Sequence, residues 1–213
     1  MKKTRNSLQV WQIAKVNLRH NFLPLLLLSG VVLLVAAVLF GTVGLDPVAA
    51  AAPLELLVST IGIILLVPVF EPEQNHGIED IVAAKYVDCI YVYIIRAMYS
   101  VIGLALLILL FCGYLLAGGC EISFALIFGT LADGMFLGSI GLLAAAVAGN
   151  LPAAFMAPVL YYGLNFTVRN KLGVFNLFSM MGGDYGPNIW LFLVSIGMLA
   201  AAVGVKRGLM KYR

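Results

Sequence analysis

Long apolar runs alternate with short polar breaks along this chain, and the runs have the length of a bilayer crossing. A helix needs about 20 mostly apolar residues to cross the hydrocarbon. By that rule the sequence predicts six spans, at about residues 22–44, 47–70, 91–118, 123–148, 152–168 and 188–205. Asp46-Pro47 reads as the N-cap and first helical position of the second span. The narrowest break is Gly149-Asn150-Leu151-Pro152, between the fourth and fifth spans.

Two polar stretches interrupt this pattern. Over residues 7–19, Val10, Trp11, Ala14 and Leu18 share one helical face, while Gln12, Lys15 and Arg19 share another. That predicts a helix lying on the membrane surface with Trp11 at headgroup depth. Leu8 is on the wrong side, and a basic tail that merely orients the chain is the simpler alternative. The second stretch is the acidic island Glu71-Pro-Glu-Gln-Asn-His-Gly-Ile-Glu-Asp80. Pro72 disfavours helical geometry at Glu71, and Gly77 permits a turn. Ile78, Ile81, Val82 and Lys85 then recur at steps of three and four, which predicts a short amphipathic helix. Residues 86–96 form another amphipathic stretch rising into the third span, and Arg96 is placed to snorkel from it.

Composition narrows the class. Hydrophobic residues make up 62% of the 213 and charged residues 11%, against roughly 25% charged in soluble domains. The fold class is therefore all-α integral membrane, one transmembrane domain over residues 1–213. A net charge of +3 gives no reason to expect nucleic acid. Its distribution is more telling: Lys2, Lys3, Arg5, Lys15 and Arg19 precede the first span, and Lys206, Arg207, Lys211 and Arg213 follow the last. The positive-inside bias puts both termini and the acidic island in the cytoplasm, with Arg169 and Lys171 as the outer exceptions. A cleaved signal peptide is the alternative for the first run, but that run is longer than a signal core of about 7–15 residues.

Small residues mark the fourth span. Gly134 and Gly138 form a GxxxG pair that Gly141 continues, with Ala144, Ala145, Ala146 and Ala148 beyond. Such a face predicts close helix contact, within the chain or between chains. Residues 170–187 are too polar and glycine-rich to span. They predict one or two short outer helices over 172–181, ahead of the turn-rich 182–187.

Recognisable catalytic chemistry is missing. No GxxxxGK[ST], HExxH, paired CxxC or GxSxG occurs, so the chain is not expected to be an enzyme and no cofactor or metal is expected on it. His20 and His76 lie far apart and read as surface residues, and Cys89, Cys112 and Cys120 have no ligand spacing. Within the spans, Asp133 is the most conspicuous ionisable group. It reads as a cargo or ion contact, as the partner of Ser139 or Asn165, or as a sign of a misplaced span boundary. Glu55, near the outer end of the second span, is expected to be reached by water. Tyr161, Tyr162 and Asn165 form a polar-aromatic cluster that either lines a path or belongs to an interfacial aromatic belt. Asn165-Phe-Thr167 matches a glycosylation acceptor but sits inside a span and is set aside.

Together, the basic N-terminal helix, six spans and acidic segment after the second span resemble the permease subunits of ABC-2 type transporters. Residues 70–85 look like that family's E-x-x-x-G-[TI]-x-E-x-[LI] pattern, in register at Glu73, Gly77 and Ile78, with Glu79 and Ile81 each one position ahead of the pattern's second acid and its aliphatic residue. The chain departs from it where Tyr86-Val87-Asp88 replace the proline and Ser-Arg pair common after the pattern. The resemblance implies an elbow helix over 7–19 and a cytoplasmic coupling segment over 71–90. Its helix runs from about Ile78 to Lys85, with Glu71, Glu73, Gly77, Ile78, Glu79, Ile81 and Lys85 as the ATPase-coupling residues. It implies a multi-pass subunit of a bacterial cell membrane. Its partners would be two ABC ATPase subunits carrying ATP and Mg, a second identical or related permease, and membrane lipids. The cargo would be a hydrophobic or amphipathic peptide, drug or lipid, with export, often of antimicrobial peptides, as family precedent. Asp133, Tyr161, Tyr162 and Asn165 are the candidate path residues. The alternatives are a small-molecule-binding subunit of an energy-coupling-factor importer, a membrane enzyme acting on lipids, and a non-transporting immunity or scaffold protein.

Overall fold

The computed structural model describes residues 22–73, 89–168 and 171–211. The predicted elbow helix and the segment 74–88 lie outside the described residues. Among the described residues there is no strand, and six helical segments are long and apolar enough to cross a membrane. They are Leu23–Phe40, Pro47–Glu71, Tyr91–Ala117, Phe124–Ala148, Leu151–Val168 and Gly186–Gly208. The protein is a multi-pass, all-helical membrane protein.

The ends of the spans follow local chemistry. Asp46 caps the second span, its Oδ1 accepting from Ala49 N at 2.8 Å, with Pro47 behind it. Ser123 Oγ accepts from Leu126 N at 3.3 Å and caps the fourth. Gly149, at φ 65°, ends that span in the left-handed region a glycine adopts most easily. Asn150 Oδ1 then accepts from Ala153 N at 2.9 Å and starts the fifth span at once. At the other end of the molecule, the loops after the first and third spans are tied together. Gly44 N donates to Gly118 O at 3.1 Å and Glu121 N to Leu45 O at 3.0 Å, and the Cys120 thiol donates to Thr42 O at 3.4 Å. That end also carries the segment between the fifth and sixth spans, and is called the loop-rich end below.

The second span is not the continuous helix that the apolar run suggests. It is α-helical over Pro47–Leu56 and Ile61–Leu66, and 3-10 over Val58–Thr60 and Val67–Glu73. Ser59 Oγ donates to Glu55 O at 2.5 Å and Thr60 Oγ1 to Leu57 O at 2.6 Å, drawing carbonyls out of the α pattern. Pro68 and Pro72 lack the N–H that an α-helix would use, and both fall in the terminal 3-10 stretch.

This irregular span is nonetheless the centre of the molecule. Over its most apolar 18-residue stretch 72% of residues are buried, and 67% over the fourth span's, against 17% in the first and fifth. The two central spans meet on glycine. A Cβ on Gly62 would overlap the Gly134 carbonyl, and one on Gly138 would stand 2.6 Å from Gly62 O. Gly141 continues the face, where a Cβ would stand 3.0 Å from Ala154 O of the fifth span. The predicted GxxxG contact is thus made within the chain. The predicted outer helices are two three-residue 3-10 turns, Gly173–Phe175 and Met180–Gly182.

Gly62→Ala is expected to lower stability in detergent by about 1–3 kcal/mol, the cost of overpacking a tight contact. Gly113→Ala, where a Cβ meets nothing within 4 Å, should stay within about 0.5 kcal/mol. Thermal unfolding followed by circular dichroism separates the two, and equal effects would contradict the central contact.

Candidate functional site

Polar side chains inside the bundle gather below the loop-rich end, between the second, fourth, fifth and sixth spans. Glu55 is the first of them. Sequence reasoning expects water to reach it, but it is 1% exposed. The segment between the fifth and sixth spans folds inward and covers it. Glu55 Oε1 accepts from Met180 N at 2.6 Å and Oε2 from Met181 N at 3.0 Å. Both are backbone N–H groups at the start of the Met180–Gly182 turn, the kind of donor a helix start leaves unused. Hydrogen bonds to a charged group are among the stronger ones.

The fifth span supplies further ties to the same segment. Asn165, fully buried, donates through Nδ2 to Tyr161 O at 3.0 Å and accepts at Oδ1 from Leu177 N at 3.0 Å. The Tyr161 hydroxyl donates to Phe175 O at 2.5 Å. The Tyr162 hydroxyl reaches Leu56 O at 2.6 Å, a carbonyl freed because Thr60 N donates to Leu57 O instead. Tyr162, Phe166 and Phe178 pack ring against ring with centroids 4.7–5.5 Å apart, the usual range for aromatic pairs. The polar ends of Tyr161, Tyr162 and Asn165 are thus engaged on backbone, and the rings of Tyr162 and Phe166 pack on Phe178 of the inward-folded segment.

Asp133 differs from all of these. It is fully buried, and neither carboxyl oxygen has a hydrogen-bond partner among the described residues. The two partners considered for it are committed elsewhere: Ser139 Oγ donates to Phe136 O at 2.8 Å, and Asn165 holds Leu177. One turn nearer the loop-rich end on the same helix is Gly129, where an added Cβ would overlap Asn188 Nδ2 and Met180 Sδ. Asn188 accepts at Oδ1 from Ser179 Oγ at 3.3 Å, while its buried Nδ2 has no partner among the described residues. Burying a polar group without a partner costs free energy, so this arrangement is not one that helix packing alone would select.

Asn188 and Ser179 were not singled out from sequence. Asn188 opens the sixth span and reads as a helix start. The one usable signal was a turn-rich, glycine-rich segment running straight into a polar residue at a span end.

At the opposite end, Glu71 is exposed, and the backbone of Glu73 closes the 3-10 stretch Val67–Glu73. Gly77, Ile78, Glu79, Ile81 and Lys85 lie outside the described residues. Two neighbouring spans grip the stretch that leads to them. Arg96 does not snorkel outward: it is 6% exposed, and its Nη1 donates to Val69 O at 3.2 Å. Phe70 packs edge-on against Tyr93 with centroids 4.9 Å apart, and Lys206 Nζ stands 5.9 Å from its ring. A separate apolar groove of about 560 Å³ runs between the third and sixth spans, lined by residues such as Met98, Val101, Leu199 and Val203. Among the described residues no group of three or more His, Cys, Asp or Glu could hold a metal ion.

The two acids make opposite predictions. Glu55→Gln loses part of a doubly bonded carboxyl and should destabilise the protein by about 2 kcal/mol. Asp133→Asn removes no contact and should stay within about 0.5 kcal/mol of the parent. Thermal unfolding in detergent tests both, and a large loss for Asp133→Asn would mean a structural partner exists.

No family model, no curated protein and no solved structure matches this chain.

Proposed function

We propose that this protein is the membrane-spanning permease subunit of an ABC-2 type transporter, driven by a separate ATPase and exporting a hydrophobic or amphipathic cargo. The observation that carries this reading is where the acidic segment attaches. Residues 71–80, which carry the sequence resemblance, continue directly from the second span, the most buried of the six. Its final stretch is bonded to the third span through Arg96 and Val69, and packed between the third and sixth through Tyr93, Phe70 and Lys206.

A push on the acidic segment therefore enters the bundle at its centre. It passes along the second span to the glycine contact with the fourth, and so toward Glu55 and Asp133. A lipid-facing helix in that position would dissipate the same force into the bilayer. In this reading the ATPases dock at the end carrying residues 71–90, and the loop-rich end faces outward. Two permease copies enclose the path, which Asp133, Tyr161, Tyr162 and Asn165 border. ATP and Mg belong to the partner.

Co-purification with candidate ATPase chains, comparing the parent with Gly77→Pro and Glu79→Lys, tests the proposal. The parent should retain an ATPase and both variants should lose it while staying monodisperse. Absence of any ATPase from the parent, or equal retention by the variants, would overturn it.

A further inference from the structure

The chain between the fifth and sixth spans turns back into the protein instead of crossing its surface. Leu177, Phe178 and Met180 are at most 2% exposed. Besides the bond from Leu177 N to Asn165, two contacts stand out. Phe178 lies against Tyr162 and Phe166, which is apolar packing. The other contact is Glu55, which applies both carboxyl oxygens to the N–H groups of one three-residue turn. A carboxyl inside a membrane span is costly, and the segment already has neutral anchors where Leu177 N donates to Asn165 and Ser179 Oγ to Asn188.

The turn also has something beneath it. Met180 Sδ and Asn188 Nδ2 fill the space at Gly129, one turn nearer the loop-rich end than Asp133. Moving the turn away would open the way to the one buried acid without a hydrogen-bond partner among the described residues. Glycines stand at both ends of the segment, Gly173 at φ 53° and Gly183 at φ 77°. Hinges are a few loop positions that absorb large backbone rotations.

We propose that residues 173–183 form a gate over Asp133, closed in this structure, and that Glu55 is its latch. Opening releases Met180 N and Met181 N from Glu55 and lifts Met180 off Gly129. Asp133 and the Asn188 amide are then uncovered toward the loop-rich end. What passes the gate rests on the permease reading; the latch itself is a property of this chain alone.

The test is thiol accessibility in the full-length protein in detergent, with the reaction of the native cysteines in the parent subtracted. Asp133→Cys, beneath the gate, and Ala146→Cys, buried in the same span far from it, are each exposed to a charged methanethiosulfonate reagent. Both are measured with Glu55 intact, with Glu55→Gln, and with Glu55→Asp as a milder change should the first lose its helical spectrum. Breaking the latch should speed labelling at position 133 by about tenfold or more and leave position 146 protected. Unchanged labelling at 133 would overturn the gate. So would a parallel rise at 146, because Glu55 would then be a support of the whole fold. No ATPase takes part, so the gate can fail while the permease reading stands, and the reverse.

Discussion

Inside a bilayer, apolar side chains gain little by leaving lipid for protein, so helices must hold one another by close contact and a few hydrogen bonds. Here the decisive contact is backbone on backbone, where Gly62 meets Gly134 and Gly138. It draws the second and fourth spans together closely enough to bury most of each. Because Glu55 precedes Gly62 and Asp133 adjoins Gly134, the same contact brings two carboxyl groups into one core. It also fixes where the far end of the second span emerges, between Tyr93, Arg96 and Lys206. The proposed coupling route and the polar cluster are two consequences of one glycine face.

Within that cluster the polar groups divide by what they do. Asn165, Tyr161 and Tyr162 each complete a backbone donor or acceptor that an irregular stretch leaves open. Their role in the fold is settled by those bonds, and any role along a path would be added to it. Asp133 and Asn188 Nδ2 complete nothing among the described residues. A membrane protein that keeps a bare carboxyl in its core gives up stability for it, and this asymmetry makes Asp133 the more informative residue.

How much of this the sequence made legible follows the range of the interactions involved. Local signals were enough for Asp46-Pro47, for Gly149-Asn150 and for the number of spans. The small-residue face of the fourth span announced a tight contact, though not its partner, because the partner's Gly62 stands alone in an ordinary apolar run. Glu55 shows the limit most clearly. Its depth is readable from its place in the span, but its shielding comes from Met180 and Met181, more than a hundred residues later in the chain. The breaks in the second span were also hidden, since Ser59 and Thr60 act through bonds to their own helix that hydropathy does not register.

The lengths of adjacent helices carry one more consequence. Among the described residues the fourth helix has 25 residues and the fifth 18, which at about 1.5 Å per residue is about 37 Å beside about 27 Å. The fifth turns Val159, Leu160, Leu164 and Phe166 outward, so lipid meets the shorter of the two. Hydrocarbon about 30 Å thick does not fit that flank without local thinning. Where lipid covers that flank, the bilayer has to be thinner beside the fifth helix than beside the fourth, a mismatch that thinner membranes reduce.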